Sequence, residues 1–196
     1  MYILSIITLF GIANAFGSKT LEFQLPNSIV QPSISMNQPV ENNQPLQLSC
    51  SYTQQTNSEL ILNYQIKNVS NKAMHIFDNQ NMPYLILQED GSLLVLHGVN
   101  PPEPNTEYPF IEIPITRSIE PGEIVSYQVK LKPLYLADHY KMDRTPTDLH
   151  GSVTVYCQVA WSETPILASQ RHKTSINSLL KWQKFISSQP IHINFP

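Results

Sequence analysis

Short segments in which apolar and polar residues alternate recur along the chain after residue 45. The clearest segment, 46–53, reads LQLSCSYT, and the same period of two occurs in 60–67, 125–131 and 153–159. Successive side chains of a strand point to opposite faces, so this period is typical of half-buried strands rather than helices. The pattern predicts roughly seven to ten short strands, about 8–12 residues apart, and therefore an all-β chain folded as a β-sandwich.

Turn residues between these segments favour the same fold class. The 196-residue chain has 16 Pro and only 6 Gly, which is typical of many short strands joined by fixed turns. Asp90-Gly91 separates two apolar runs and predicts a hairpin with a two-residue type I′ turn. Pro121-Gly122 fits the two central positions of a type II turn. Segment 134–150 shows no clear period and is predicted to be a long connection.

The C-terminal segment departs from the strand pattern. Apolar residues between positions 175 and 186 come near helical spacing, which predicts one amphipathic helix of about three turns. Pro190 would end that helix, because proline cannot continue the helical hydrogen bonding. Residues 191–195 are then predicted to form a short closing strand. The full prediction is an all-β fold with one short C-terminal helix.

The first fifteen residues predict export. Residues 2–12 are mostly apolar, and Ala13-Asn14-Ala15 has the small-x-small pattern of a signal-peptide cleavage site. A mostly apolar stretch of eleven residues is too short for a bilayer core of about 30 Å, and no later segment is apolar enough to span one. The alternative is a buried N-terminal strand or helix of a cytosolic protein. We expect an exported protein, periplasmic or extracellular, without a membrane span.

Three parts are predicted along the chain. Prolines among Asn, Gln and Ser before residue 46 are typical of an extended segment, and an edge strand is predicted at 28–35. No repeat or low-complexity linker divides the residues that follow. The predicted parts are a signal peptide over 1–15, an extended lead-in with an edge strand over 16–45, and a single β-sandwich domain over 46–196.

Charge and motif content argue against several functions. The formal net charge is −3, with 12 Lys and Arg against 15 Asp and Glu, and no basic run, so nucleic-acid binding is not predicted. Glycines never cluster into a phosphate-binding loop. No Gly-x-Ser-x-Gly occurs, and Ser178-Leu-Leu-Lys181 lacks its partner motifs. We therefore predict a non-enzymatic protein with no catalytic residues and no cofactor.

A run of titratable residues in 134–150 is the best candidate for a metal site. Carboxylate oxygens and imidazoles are suitable ligands for divalent ions. The run lacks His-x-x-x-His and EF-hand spacing, so solvated loop charge is the preferred interpretation, and no metal site is predicted. Its members are Asp138, His139, Asp143, Asp148 and His150.

The chain has two cysteines, Cys50 and Cys157, and each lies in an inward row of a predicted strand. Export removes a protein from the reducing cytosol, so the two thiols are predicted to form a disulfide across the core. The alternative is a pair of unpaired buried thiols acting as small hydrophobes.

Short motifs carry a resemblance to immunoglobulin-like domains. Leu48-Ser49-Cys50 and Val155-Tyr156-Cys157 resemble the second and sixth strands of those domains, although no Trp lies between the cysteines. Motifs at 64–72, 88–91 and 119–123 are similar to bacterial immunoglobulin-like modules of the intracellular proteinase inhibitor type. The resemblance implies an immunoglobulin-like β-sandwich.

Two long connections are the predicted place of function. Segments 98–109 and 134–150 are long enough to carry binding residues on a rigid scaffold. Tyr and Arg are favoured at interaction hot spots, which makes Tyr108, Tyr140 and Arg144 the predicted partner-binding residues. We expect a protein partner in the envelope or extracellular space. The alternatives are a peptidase inhibitor acting through a rigid loop, a loop-assembled metal-dependent hydrolase, and loops that only pack over the sandwich ends.

Overall fold

The computed structural model describes residues 44–56, 59–108, 112–140 and 144–195, all within one unit that spans 32–196. This part of the chain contains twelve strands, one 3-10 helix and one α-helix, which confirms the predicted all-β class. The predicted signal peptide and the lead-in with its edge strand at 28–35 lie outside the described residues.

Strands dominate the described chain from its start to its end, and the helical elements come late. The strands are β1 (Leu46–Thr56), β2 (Glu59–Asn68), β3 (Met74–Asp78), β4 (Tyr84–Leu87), β5 (Leu93–His97), β6 (Ile115–Ile119), β7 (Ile124–Lys132), β8 (Leu134–Leu136), β9 (Thr145–Thr147), β10 (Gly151–Ser162), β11 (Lys184–Ser187) and β12 (Ile191–Phe195). The 3-10 helix covers Ala168–Lys173 and α1 covers Ile176–Trp182, both between β10 and β11.

Two sheets build the scaffold. The first is antiparallel, with the order β1-β2-β7. The second has seven strands, in which β4-β5-β10-β3-β6 form a path and β11 and β12 also pair with β10. Val159 of β10 pairs with His97 of β5 and with Ile186 of β11, so β10 is hydrogen-bonded along both edges. The β5–β10 pair is parallel, whereas the other pairs in both sheets are antiparallel.

A hydrophobic core, which we name the inner core, lies between the two sheets. The alternating residues of β2, from Leu60 to Ile66, are at most 1% exposed and pack in one cluster with Val95, Val155 and Val159 of the second sheet. A disulfide between Cys50 and Cys157 joins β1 to β10, with Cα atoms 6.7 Å apart. The predicted pairing of the two cysteines is therefore confirmed.

The opposite face of the second sheet packs on a separate cluster, the outer core. Ile76 belongs to the inner core and the next residue, Phe77, to the outer core, because consecutive strand residues face opposite ways. Leu179 of α1 and Ile166 cover Phe77 from the C-terminal segment. The Trp182 ring lies 4.7 Å from that of Phe77. The second sheet is thus covered on both faces.

The predicted C-terminal helix is present but shorter than expected. It begins after Ser175, whose hydroxyl accepts a hydrogen bond from the amide of Ser178, and it ends at Trp182 after seven residues. Residues 184–186, predicted to be helical, instead belong to β11, which pairs with β10. Strand pairing with β10 outweighs local helical spacing here. The predicted closing strand at 191–195 is confirmed as β12. Among the described residues, no helix has the length and apolar character needed to cross a membrane.

The hairpin at Asp90-Gly91 has a different turn from the one predicted. Gly91 has φ +79°, but Asp90 does not have a positive φ, which a type I′ turn would require. The Gly91 amide donates to the Gln88 carbonyl at 3.0 Å, and the Gln88 amide donates to the Ser92 carbonyl at 2.8 Å. This is the three-residue loop with a glycine bulge. The Asp90 carboxylate favours it by accepting hydrogen bonds from the amide and hydroxyl of Ser92.

The other two predictions about connections had opposite outcomes. The type II turn at Pro121-Gly122 is confirmed, since Gly122 has φ +80° and the Glu123 amide donates to the Glu120 carbonyl. The segment 134–150 is not a plain connection, because β8 and β9 pair within it. These strands have only three residues each, too few for a period of two to be recognised.

Asn68 joins the end of β2 to the turn that follows it. Its amide group donates to the carbonyls of Lys72 at 2.7 Å and Ile119 at 2.8 Å, and its carbonyl accepts from Ser70. The residue is completely buried. Asn68-Val69-Ser70 has the sequence of a glycan acceptor, but this side chain is unavailable for modification in the folded chain.

Candidate functional site

The two predicted binding tyrosines meet at one end of the second sheet. Tyr108 follows β5 along the chain and Tyr140 follows β8, yet their rings stack with centroids 4.4 Å apart and planes 29° from parallel. Both side chains are half-buried. We name the surface formed by residues 98–108 and 137–140 the loop end. The stack holds its two segments together.

The hydroxyls of both tyrosines bind the backbone of the first segment. Tyr140 donates to the carbonyl of Asn100 at 2.6 Å, and Tyr108 accepts from the amide of Glu103 at 3.1 Å. Burial, with Tyr108 and Asp138 nearby, raises the pKa of Tyr140 to about 12, so this hydroxyl keeps its proton at neutral pH. Each tyrosine therefore supports the loop with its ring and with its hydroxyl.

The tip of the loop end is a preformed turn. The Thr106 amide donates to the Glu103 carbonyl at 3.3 Å, and Asn105 has φ +61°. Proline followed by a residue with positive φ is the arrangement of a type II turn, with Pro104 and Asn105 at its centre in this loop. Residues 103–107 are exposed and include two carboxylates, Glu103 and Glu107. The loop end therefore presents a rigid tip with an acidic character.

The base of the loop is attached to the C-terminal segment. The side-chain amide of Gln183 donates to the Val99 carbonyl at 2.6 Å and accepts from the Val99 amide at 3.1 Å, as a neighbouring strand would. At the preceding position, a Cβ on Gly98 would lie 2.9 Å from the Cβ of Ala160. This contact is too close, so only glycine fits where the chain leaves β5.

A buried histidine lies beneath the tyrosine stack. His139 is 8% exposed, and its ring contacts Tyr140 edge to face at 5.0 Å. The His139 Nδ1 lies 3.4 Å from the hydroxyl of Tyr84 in β4, whereas its Nε2 is buried without a hydrogen-bond partner. Burial lowers the pKa of His139 below its ordinary value of 6.5 despite the carboxylates of Glu112 and Asp138, which raise it. The ring is neutral at neutral pH.

Two carboxylates, those of Glu112 and Asp138, act on this histidine, and both are held by other bonds. Glu112 accepts from the side chain of Asn81 at 3.4 Å and pairs with Arg171 of the 3-10 helix at 3.5 Å. The Arg171 Nε also donates to the carbonyl of Ile113 at 2.6 Å. Asp138 accepts from the amide of Tyr140 at 2.8 Å. These bonds fix the segments around the loop end.

The third predicted binding residue lies outside the tyrosine stack. Arg144 is exposed and precedes β9, and among the described residues it has no hydrogen bond or ion pair to either tyrosine. The structure therefore brings together Tyr108 and Tyr140 but not Arg144. The sequence analysis did not identify Tyr84 as part of this region, because a tyrosine at the start of a strand has no pattern that indicates a binding role.

A second tyrosine–histidine pair lies in the inner core. The Tyr64 hydroxyl is 2.9 Å from the Nδ1 of His97, and the His97 Nε2 donates to the carbonyl of Phe77 at 2.7 Å. Both residues are at most 2% exposed, and the Tyr127 ring stacks on Tyr64 at 5.0 Å. Burial lowers the pKa of His97 to about 4 and raises that of Tyr64. The sequence feature that could have identified this pair is the position of His97 in the inward row that also contains Leu93 and Val95.

The described residues contain no group of three or more His, Cys, Asp or Glu side chains that could hold a metal ion. Of the titratable run in 134–150, Asp143 lies outside the described residues, and Asp148 and His150 are exposed. Both cysteines are bonded in the disulfide, so neither thiol is available as a metal ligand. Comparison of the chain with protein-family models, curated proteins and solved structures finds no match.

Proposed function

We propose that this protein is an exported, non-enzymatic binding domain that contacts a protein partner through its loop end. The observation that carries the proposal is the Tyr108–Tyr140 stack, which joins two chain segments from different strands into one surface. A surface held in place before binding loses little conformational freedom when a partner docks, and this favours affinity.

The exposed tip supports the same function. Residues 103–107 are exposed in a turn that is fixed by Pro104 and by the hydrogen bond between Glu103 and Thr106. Such a tip suits recognition by side chains on a rigid support. Arg144 is included in the proposal because its side chain is exposed and it follows Tyr140 closely in the chain.

The proposal has two further parts. Two sheets joined by a disulfide around one core support an immunoglobulin-like sandwich as the finer description of the fold. The disulfide also supports an oxidising location, periplasmic or extracellular, because such bonds persist outside the reducing cytosol.

The test is capture of partners from the envelope and culture fluid of the native host with purified variants. Tyr108→Ala removes the stack and the anchor of the loop, and we expect capture to fall at least about tenfold, the equivalent of roughly 1.4 kcal/mol. Arg144→Ala removes an exposed side chain without hydrogen bonds among the described residues, so it should weaken capture while leaving the melting temperature unchanged.

Tyr156→Ala is the matched control, since Tyr156 is also half-buried but lies in β10, outside the loop end. It should leave capture intact. Equal capture by the wild-type chain, Tyr108→Ala and Arg144→Ala would contradict the proposal. So would a loss of capture with Tyr156→Ala as large as the loss with Tyr108→Ala.

A further inference from the structure

His139 differs from the other buried histidine in how its ring is satisfied. Only one ring nitrogen of His139 has a partner, the Tyr84 hydroxyl at 3.4 Å, which is a long hydrogen bond. The Nε2 is buried and unpartnered. The Nε2 is unsatisfied in the neutral ring and would also be unsatisfied in the protonated ring, which would add a positive charge at a buried position. Protonation therefore makes this buried position less favourable.

Charged and titratable groups face His139 from several segments of the chain. The carboxylates of Asp138 and Glu112 favour the charged ring, but Asp138 also accepts from the Tyr140 amide and Glu112 is paired with Arg171. Tyr84 and Tyr140 carry hydroxyls that keep their protons at neutral pH. The two carboxylates do not outweigh the burial of the ring.

The position of the ring links its charge to the loop end. His139 directly precedes Tyr140, contacts the Tyr140 ring, and follows the segment bound to β4 through paired backbone hydrogen bonds between Ala137 and Leu85. Movement of segment 137–140 away from β4 would expose the buried Nε2 to water. That movement would withdraw Tyr140 from Tyr108 and from the Asn100 carbonyl.

We propose that His139 makes the loop end acid-sensitive: uptake of a proton by its ring opens segment 137–140 and separates Tyr140 from Tyr108. The opening regulates partner binding, and that part rests on the proposed function. The neutral ring is retained above about pH 6.5, so the closed loop end is fully populated there. Below that value the open form gains up to about tenfold per pH unit, until the closed form is protonated too.

The test is amide hydrogen exchange of the isolated chain between roughly pH 7.5 and pH 5, corrected for the pH dependence of intrinsic exchange. We expect protection of the Ala137 amide in the wild-type chain to fall by up to about tenfold per pH unit below pH 6.5. Protection of the Val159 amide in β10 should change with pH equally in the wild-type chain and in His139→Phe, which distinguishes local opening from unfolding. His139→Phe keeps a flat ring and cannot titrate, so its Ala137 protection should not change with pH.

His172→Phe is the matched control, because His172 is exposed on the 3-10 helix, and it should respond as the wild-type chain does. Constant protection of Ala137 in the wild-type chain would overturn the proposal, as would an equal loss in His139→Phe. If His139→Phe fails to fold, NMR titration of the wild-type ring decides, since a His139 pKa at or above 6.5 contradicts the mechanism. The measurement needs no partner, so its outcome is separate from that of the capture experiment.

Discussion

The inner core and the loop end each contain a tyrosine–histidine pair, and the two pairs are built differently. In the inner core, Tyr64 and the Phe77 carbonyl satisfy both nitrogens of His97 at 2.9 and 2.7 Å. At the loop end, Tyr84 approaches one nitrogen of His139 at 3.4 Å, and the other has no partner. The same two residue types thus form a complete network in one place and an incomplete one in the other.

This difference shows how position determines the role of a buried polar pair. Tyr64 and His97 lie on facing strands of two sheets, so their bond connects the sheets inside the inner core. A fully bonded buried network stabilises a unique arrangement. His139 lies on a connection that is attached to β4 by one pair of backbone bonds, and an incomplete network there is easier to open.

The largest expected effect comes from the disulfide, which crosses the inner core. The double variant Cys50→Ala/Cys157→Ala removes a link that closes a loop of 107 residues. On the chain-entropy account, the free energy of unfolding should fall by about 4–5 kcal/mol, measured by urea denaturation. Because the link joins β1 to β10, the loss should be global. A change below about 1 kcal/mol, or free thiols in the protein purified from its native compartment, would show that the bond does not stabilise the inner core.

The next effect is the pH dependence contributed by His97. Its pKa is about 4 in the folded chain and about 6.5 when unfolded, so the unfolded chain binds the proton more tightly. The stability is fully present above pH 6.5 and decreases as the pH falls towards 4, by roughly 3 kcal/mol in total. Thermal or urea unfolding of the wild-type chain and His97→Gln over this range measures the difference. Parallel pH profiles for the two proteins would contradict the assignment.

The smallest effects are expected when the hydroxyls of Tyr64 and Tyr84 are removed in separate variants. Tyr64→Phe leaves the Nδ1 of the fully buried His97 without a partner and should cost about 1–3 kcal/mol of unfolding free energy. Tyr84→Phe removes a long bond from a network that is already incomplete, and should cost less than about 1 kcal/mol. Urea denaturation of both variants ranks them. Equal losses would remove the distinction between the inner core and the loop end.

Some features of this structure can be predicted from the sequence, and others cannot. Cys50 and Cys157 can be paired in advance because their inward positions are fixed by the period of two. Tyr108 and Tyr140 can be identified as members of long connections, but their stacking depends on where β5 and β8 end in space. Residues 184–186 were predicted to be helical because the edge of β10 with which they pair cannot be seen from local spacing.

The amino-acid sequence is sufficient to define the all-β class and the burial direction of most strand residues. These follow from local backbone geometry, in which side chains alternate regardless of which strands become neighbours. Only the tertiary structure shows that β5 pairs parallel to β10 and that α1 ends at Trp182. It also shows that His97 has hydrogen-bond partners at both ring nitrogens, whereas His139 has a partner at one. Those outcomes depend on contacts between residues far apart in the chain, which no local pattern encodes.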